Sequence, residues 1–268
     1  MIASSTPSAK RSRRMVKLLQ ILDERGSIDL NELTVLLDAS AATIRRDVAK
    51  LADQGLVSRM HGGVCKLAQR IELPLSLRDK RNSRAKKAIA HEVGKRIPAG
   101  QHILALNGGT TISDVLDSVA HRKDLTIVTN SVSLALEAAE HGQTRVLVTG
   151  GVLRYQSLEM VGSLAEHTFQ QVSVGTAVLG SDGVSAEGGV TTYDQIEANT
   201  NNAMIRSAQN VIAVADGSKI GEVQAAQSAK ITDIDLLVTD SSADPAEIAA
   251  IRRKGVQVIV VPVHEDAK

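Results

Sequence analysis

Three segments near the start of the chain have the apolar spacing of amphipathic helices. The first ends before Gly26, the second follows the N-cap candidate Asp29 with Glu32 as its reciprocal acid, and the third runs from the N-cap candidate Ser40 to Gly55. Their inward-facing residues are Met15, Leu18, Leu19 and Leu22; Leu30, Leu33, Leu36 and Leu37; and Ile44, Val48 and Leu51. A short break between the last two helices predicts a helix-turn-helix.

The pattern changes from helical to alternating directly after the third helix. Residues 56–60 alternate as in a strand, and His61, Gly62 and Gly63 supply a tight turn before Val64. A hairpin in this position predicts the wing of a winged helix-turn-helix.

From Ile89 onward, short apolar runs alternate with segments of helical composition. The runs are Ile103 to Leu106, Leu125 to Val128, Val146 to Val148, Ala177 to Leu179, Val211 to Ala215, Leu236 to Val238 and Val256 to Val261. Near-continuous apolar strands separated by helices predict a mostly parallel sheet covered on both faces. The fold class is therefore α/β, with a winged helix-turn-helix in front of the sheet.

These patterns divide the 268 residues into four parts. We predict a basic flexible tail over 1–12, a winged helix-turn-helix over 13–66, a linker helix or hinge over 67–88, and an α/β effector domain over 89–268. The linker assignment rests on Pro74 and a basic cluster comprising Arg78, Lys80, Arg81, Arg84, Lys86 and Lys87.

Composition narrows the class of protein. The chain is 43% hydrophobic and 23% charged, as in globular proteins, and contains no Trp, two Tyr and one Phe, which disfavours stacking on single-stranded nucleic acid. The apolar runs are too short to cross a membrane, and residues 1–14 lack the apolar core of a secretory signal. The single Cys65 agrees with a reducing compartment and excludes a cysteine zinc cluster. We therefore expect a cytoplasmic protein without a metal or membrane association.

The net charge of +1 hides a strong asymmetry. Residues 1–87 hold 18 Lys and Arg against 9 Asp and Glu, a balance of +9, whereas residues 88–268 hold 13 against 21, a balance of −8. A basic module followed by an acidic body is typical of a polyanion-binding segment attached to a domain that avoids the polyanion.

The outward face of the third helix is basic near its N-terminus. Arg45 and Arg46 could donate paired hydrogen bonds to guanine in the major groove, and the Thr43 methyl group could contact thymine. The alternative is a solvent-exposed charged face. Together with the caps and the wing, the pattern favours double-stranded DNA. The predicted contacts are Ser40, Thr43, Arg45, Arg46, Lys50, Arg59, His61, Gly62 and Gly63.

The run Thr43-Ile44-Arg45-Arg46-Asp47-Val48, followed by His61-Gly62-Gly63, resembles the winged-helix signature of DeoR-family bacterial transcription regulators. The joint occurrence at this spacing is far more specific than either piece. One departure is Asp38-Ala39-Ser40, where the family usually has a turn like Gly-Val-Ser. Ser40 keeps the cap, while Asp38 places an acid near the DNA.

Ligands of parallel sheets bind beyond the carboxyl ends of the strands. After the first strand, the sequence Asn107-Gly108-Gly109-Thr110-Thr111 combines flexible glycines with hydroxyl groups at a helix start, which suits a phosphate group. The lysine of a nucleotide-binding P-loop is missing, so hydrolysis of a nucleoside triphosphate is not expected. Lys219 could neutralise phosphate, while Asp182, Asn130 and Glu197 could bind sugar hydroxyls or serve as caps and surface charges.

The strand ends also resemble the DeoR effector domain, which is related in fold to ribose-phosphate isomerases and coenzyme A transferases. The resemblance implies a phosphorylated sugar as effector, with no other cofactor. An acid common in the family is replaced by Asn107. The predicted effector residues are Asn107, Gly108, Gly109, Thr110, Thr111, Asn130, Gly151, Asp182, Glu197 and Lys219.

The resulting hypothesis is a repressor of carbohydrate genes that binds operator DNA as a homodimer or homotetramer. Its alternative is a sugar-phosphate isomerase-like enzyme with an accessory DNA-binding segment, although no acid and base pair, catalytic triad or metal-ligand spacing stands out. Activation rather than repression remains open, as do the effector's identity and whether it releases or strengthens DNA binding.

Overall fold

The computed structural model describes residues 7–67, 72–78, 82–142 and 144–263. The chain divides into two compact units between Arg81 and Asn82.

The first unit is the predicted winged helix-turn-helix. Its elements are α1 (Pro7–Arg25), β1 (Ser27–Asp29), α2 (Leu30–Leu36), α3 (Ala41–Asp53), β2 (Val57–Met60), β3 (Gly63–Lys66) and α4 (Leu75–Arg78). The strands form an antiparallel sheet in the order β1-β3-β2, and the predicted inward residues of α1, α2 and α3 share one core with Val57 and Val64. Leu36 is the exception: it was predicted to face inward, but it lies at the C-terminal end of α2, is 37% exposed and is not part of this core. Strand β1 lies in the segment interpreted only as a cap.

Both predicted helix caps form. The Asn31 amide donates to Asp29 Oδ1 at 2.7 Å, and the Thr43 amide donates to Ser40 Oγ at 3.3 Å. The reciprocal bond expected from Glu32 is replaced by an ion pair, because Arg25 Nη1 donates to its carboxylate at 2.5 Å.

Helix α1 differs from the expected tail over 1–12 because it begins at Pro7. The helix is anchored to α3 by charge. Arg11 Nε and Arg14 Nε contact the two oxygens of Asp47 at 3.2 and 2.5 Å, and Asp47 is only 2% exposed. Burial of a carboxylate requires such partners, so Arg11 and Arg14 neutralise a buried charge of this unit.

The second unit contains a seven-stranded, fully parallel sheet, which confirms the predicted fold class. Its helices are α5 (Ser83–Gly94), α6 (Thr110–Val119), α7 (Val132–His141), α8 (Ser163–Gln170), α9 (Gln195–Arg206) and α10 (Pro245–Arg253). The sheet strands are β4 (His102–Leu106), β5 (Leu125–Thr129), β6 (Arg145–Val148), β9 (Val174–Gly180), β12 (Ala208–Val214), β14 (Leu236–Asp240) and β15 (Gln257–Val261). The remaining strands are β7 (Val152–Arg154), β8 (Glu159–Val161), β10 (Gly183–Ser185), β11 (Gly189–Thr192) and β13 (Ala226–Ala229), and Gly217–Lys219 and Ile231–Asp233 are 3₁₀ turns.

The sheet order is β15-β14-β12-β9-β4-β5-β6. Apolar residues of α5, α6 and α7 form the core on one face, whereas residues of α8, α9 and α10 belong to the other core cluster. Helix α5 begins at Ser83, inside the segment 67–88 interpreted as a linker, because Ala85, Ile89 and Val93 are buried at helical spacing. The described helices include none that is both long and apolar enough to span a bilayer.

Candidate nucleic-acid interface and effector site

The basic face of α3 is open to solvent. Arg45, Arg46 and Lys50 are exposed, whereas Ile44 and Val48 are buried on the opposite side of the helix. Thr43 is partly exposed, and its hydroxyl lies 2.9 Å from the Ser40 hydroxyl. The arrangement leaves the positive side chains free to reach a groove of DNA while the cap orients the first turn.

The wing residues divide into two groups. Arg59 and His61 are exposed on the hairpin, as a contact to the DNA backbone requires. The backbone explains why glycine occupies the other two positions. Gly62 has a φ of +77°, and a side chain on Gly63 would come within 2.8 Å of the Ile28 carbonyl oxygen. The pairing of β1 with β3 therefore requires the second glycine.

The turn before α3 explains the departure at Asp38. Asp38 has a φ of +45°, in the left-handed region that favours glycine and tolerates Asp or Asn. It follows Leu37, the C-cap of α2. The chain thus keeps the turn conformation of a glycine while adding a negative charge before the recognition helix.

The order in which the chain adds strands to the parallel sheet reverses at β4. From β4 the chain adds β5 and β6 on one side and then β9, β12, β14 and β15 on the other, so the carboxyl ends of β4 and β9 flank a topological switch point. Ligands of open α/β sheets bind in the crevice at such a point. The loops there are Asn107–Thr111 and Ser181–Asp182, both singled out from the sequence.

Two lysines approach this crevice. Lys219 Nζ donates to the Ser181 carbonyl oxygen and lies 3.7 Å from Asp182 Oδ1. Lys86, on α5, is 4% exposed and donates to Thr110 Oγ1 at 2.7 Å. From the sequence, Lys86 was assigned to the basic cluster of the linker helix or hinge predicted over 67–88. The signal that could have found it is its position one turn before Ile89 on the apolar face of α5.

Asp216 holds a negative charge beside the same lysines. The carboxylate is 3% exposed and accepts hydrogen bonds from Ser218 and Asn82. Burial raises the pKa of Asp216, but the positive charge of Lys219, the hydrogen bonds from Ser218 and Asn82, and the charge of Lys86 together hold the pKa below its usual value. The carboxylate is therefore ionised and offsets part of the lysine charge.

The loop Asn107–Thr111, here called the glycine loop, is held by hydrogen bonds on two sides. Asn107 Nδ2 donates to the Gly180 carbonyl at 3.1 Å, and the Gly180 amide donates to Asn107 Oδ1 at 2.8 Å. Across the loop, the Gly108 amide donates to the buried Glu159, where a side chain on Gly108 would collide with the carboxylate. Asn107 is thus a brace between the two loops of the switch point, and both polar groups of its side chain are engaged.

Besides Thr239 Oγ1 in β14, two buried polar atoms near the strand ends lack a hydrogen-bond partner among the described residues. They are Asn130 Oδ1, in a residue with 0% exposure, and Ser181 Oγ, in a residue with 8% exposure. Asn130 Nδ2 is occupied by the Met160 carbonyl at 3.1 Å. An unsatisfied buried oxygen is costly, so hydroxyl groups of a ligand would find ready partners here.

Asp182 and Glu197 belong to a connected polar network. The Thr192 hydroxyl lies 3.1 Å from Asp182 Oδ2 and 2.5 Å from Glu197 Oε1, and Arg154 Nη1 lies 3.1 Å from Glu197 Oε2. Gly151 instead serves the β7–β8 hairpin: its φ is +132°, and a side chain there would approach the Val161 carbonyl oxygen at 2.8 Å. The structure thus links Glu197 to the crevice through Asp182 and gives Gly151 a packing role.

Family models match both units. A DeoR-like helix-turn-helix domain matches residues 14–70, and a DeoR C-terminal sensor domain matches residues 81–241. The chain belongs to the DeoR family. DeoR proteins are transcriptional regulators, and the membership confirms the sequence resemblance and sets aside the isomerase-like enzyme. Within the described residues, no group of three or more His, Cys, Asp and Glu side chains could hold a metal ion.

Individual relatives extend over nearly the whole chain of this DeoR-family regulator. The HTH-type transcriptional regulator GlpR of Haloferax volcanii is 34% identical, with 94% of this chain and 97% of the relative covered. The glycerol-3-phosphate regulon repressor of Escherichia coli is 28% identical, with coverage of 87% and 92%. Among solved structures, ribose 5 phosphate isomerase A from Neisseria gonorrhoeae has a TM-score of 0.37 at 14% identity and covers 53% of each chain.

Proposed function

We propose that this DeoR-family regulator is a repressor whose operator binding is controlled by a phosphorylated sugar or polyol. The observation that carries the proposal is that Lys86 contacts Thr110 on one loop of the switch point while Lys219 contacts Ser181 and Asp182 on the other. Partly buried ammonium groups favour an anion strongly because little water screens them. A phosphate dianion matches that charge. The relative named as a glycerol-3-phosphate regulon repressor supports the same class of ligand.

The rest of the crevice suits the unphosphorylated part of such a ligand. Asn130 Oδ1 can accept a hydrogen bond, and Ser181 Oγ can either donate or accept one. Asp182 contributes a carboxylate beside Lys219. A ligand with hydroxyl groups next to its phosphate would satisfy these atoms together, whereas inorganic phosphate would satisfy only the lysine end.

The DNA-binding unit acts through α3 and the wing, with Arg45, Arg46 and Lys50 facing the major groove and Arg59 and His61 facing the DNA backbone. We infer that the protein is cytoplasmic and binds repeated operator half-sites as a homodimer or homotetramer. Paired recognition helices must then lie about 34 to 36 Å apart, or a multiple of this distance. Inserting about half a helical turn between half-sites should abolish cooperative binding, and unchanged binding would argue against paired reading.

The effector proposal is tested by a panel of phosphorylated sugars and polyols, each beside its unphosphorylated form. The readout is release or retention of genomic DNA fragments that the unliganded protein binds. We expect a response only to phosphorylated members, and we expect Lys86→Ala and Lys219→Ala to lose it while retaining DNA binding. Lys123→Ala is the matched control because Lys123 is exposed in the same unit. Equal responses with and without phosphate would reject the lysine cradle.

A further inference from the structure

Asn82 joins the boundary between the units to the candidate phosphate site. It is the first residue of the second unit and the N-cap of α5. Its φ of +54° lies in the left-handed region, and its side chain makes no cap bond to α5. Residues held in this region persist when surrounding contacts fix them.

The Asn82 side chain contacts the turn of residues 216–218, which follows β12. Asn82 Nδ2 donates to Asp216 Oδ1 at 2.8 Å and lies 3.4 Å from Ser218 Oγ. Asp216 is the buried carboxylate that offsets the charges of Lys219 and Lys86. One hydrogen bond therefore connects the backbone at the unit boundary with the residues that would meet a phosphate.

We propose that the Asn82–Asp216 hydrogen bond transmits effector occupancy, and that a bound phosphate weakens it. The inference rests on the proposed phosphate site and adds the route by which that site reaches the DNA-binding unit. Asn82 is a positioning residue in this scheme, because it acts through Asp216.

The direction follows from charge. In the structure, Asp216 is the carboxylate that accepts from Asn82 while the two lysines lie nearby. A phosphate at Lys86 and Lys219 draws both ammonium groups toward itself and repels the Asp216 carboxylate. Asp216 then loses the attraction of the lysines while keeping its bonds from Ser218, so its bond from Asn82 weakens, and with it a contact that holds Asn82 in the left-handed region. Relaxation of Asn82 changes the direction in which the chain enters α5.

Thermodynamic linkage predicts the direction in which the phosphate affinity changes when the Asn82–Asp216 bond is removed. If phosphate must weaken the Asn82–Asp216 bond, removing that bond beforehand raises phosphate affinity by the same factor by which phosphate disfavours the bond. A residue with a purely structural role would instead lower affinity or leave it unchanged. Asn82→Gly is the best variant, because glycine removes the amide and adopts a positive φ without strain. Asn82→Ala is the second variant, and Ser83→Ala is the control on the exposed neighbouring residue.

The experiment titrates the full chain and its variants with sodium phosphate by calorimetry, then measures how saturating phosphate changes affinity for a bound genomic fragment. We expect Asn82→Gly to bind phosphate about tenfold more tightly than the parent, and its DNA affinity to respond less to phosphate. Ser83→Ala should match the parent in both measurements. Melting curves of each protein establish that the variants are folded.

Two failures are distinguishable. If phosphate binds, Lys219→Ala abolishes that binding and both Asn82 variants keep the parental affinity and response, then the transmission route is wrong and the effector site stands. If phosphate binds no better to the parent than to Lys219→Ala, the phosphate site is wrong, and the route through Asn82 falls with it.

Discussion

The side-chain amide of Asn107 binds the backbone of Gly180 through both of its polar groups, across the gap between the carboxyl ends of β4 and β9. The two residues are 73 positions apart in the chain. The pair therefore fixes the distance between the glycine loop and the Ser181–Asp182 loop, which form the two walls of the crevice.

Replacing Asn107 should loosen that brace. Asn107→Ala removes both side-chain hydrogen bonds to the half-buried Gly180 backbone, and we expect a loss of about 1 to 3 kcal/mol in the free energy of unfolding. Asn107→Asp retains the acceptor but places a carboxylate against the Gly180 carbonyl, so its deficit should shrink at acid pH, where a protonated carboxyl can donate. Denaturant melts at two pH values test both variants. If the stability loss of Asn107→Asp does not change with pH, the hydrogen bond that Asn107 Nδ2 donates does not stabilise the fold.

Asp38 offers a test of the turn before α3. Asp38→Gly removes an L residue from a left-handed conformation and should raise stability by up to about 1 kcal/mol. It also removes an acid near the recognition helix, so DNA affinity should rise, most strongly at low salt. Asp38→Asn removes the charge while keeping tolerance for the conformation. If the asparagine variant gains no DNA affinity, the charge of Asp38 is irrelevant to binding.

Arg46 tests the reading face. Its side chain is exposed on α3, and Arg46→Ala should weaken binding to a specific fragment by about 1 to 3 kcal/mol without lowering the melting temperature. Lys17→Ala, an exposed change on α1, is the control. Gel-shift titrations at two salt concentrations separate lost base contacts from lost phosphate contacts. Equal affinity of the Arg46 variant and the parent would reject the assigned face.

Asp216 makes stability depend on pH in a defined direction. Its folded pKa lies below the ordinary value of 3.8, so its ionised form stabilises the native state above about pH 4, and this contribution is lost as pH falls through the lower folded pKa. Asp216→Asn lacks that titration. The stability gap between parent and variant should therefore be widest near neutral pH and narrow as the pH falls below about 4.

Ser181 separates stability from ligand binding. Its hydroxyl has no hydrogen-bond partner in the described structure, so Ser181→Ala should leave the unfolding free energy unchanged or raise it slightly. The same change should reduce thermal stabilisation by whichever phosphorylated compound the panel identifies. Stabilisation equal to that of the parent would remove Ser181 from the ligand contacts.

Much of this fold can be predicted from local sequence patterns. The seven apolar runs correspond to the seven sheet strands, and the caps Asp29 and Ser40 begin the predicted helices, because burial and capping are decided by neighbouring residues. The adjacency of β4 and β9 depends on long-range pairing and left no local signal. For the same reason the brace at Asn107 could not be predicted, and Lys86 was grouped with the basic residues of the linker although α5 buries it.

The crevice at the switch point exists only once the sheet of the second unit has folded. Its walls come from distant stretches of chain that meet only when β4 and β9 pair, so a nascent or half-assembled sheet has no crevice to fill. If the proposed effector binds in this crevice, it binds only the folded protein and slows unfolding without accelerating folding. Nutrient supply would then set the lifetime of the regulator as well as its grip on DNA.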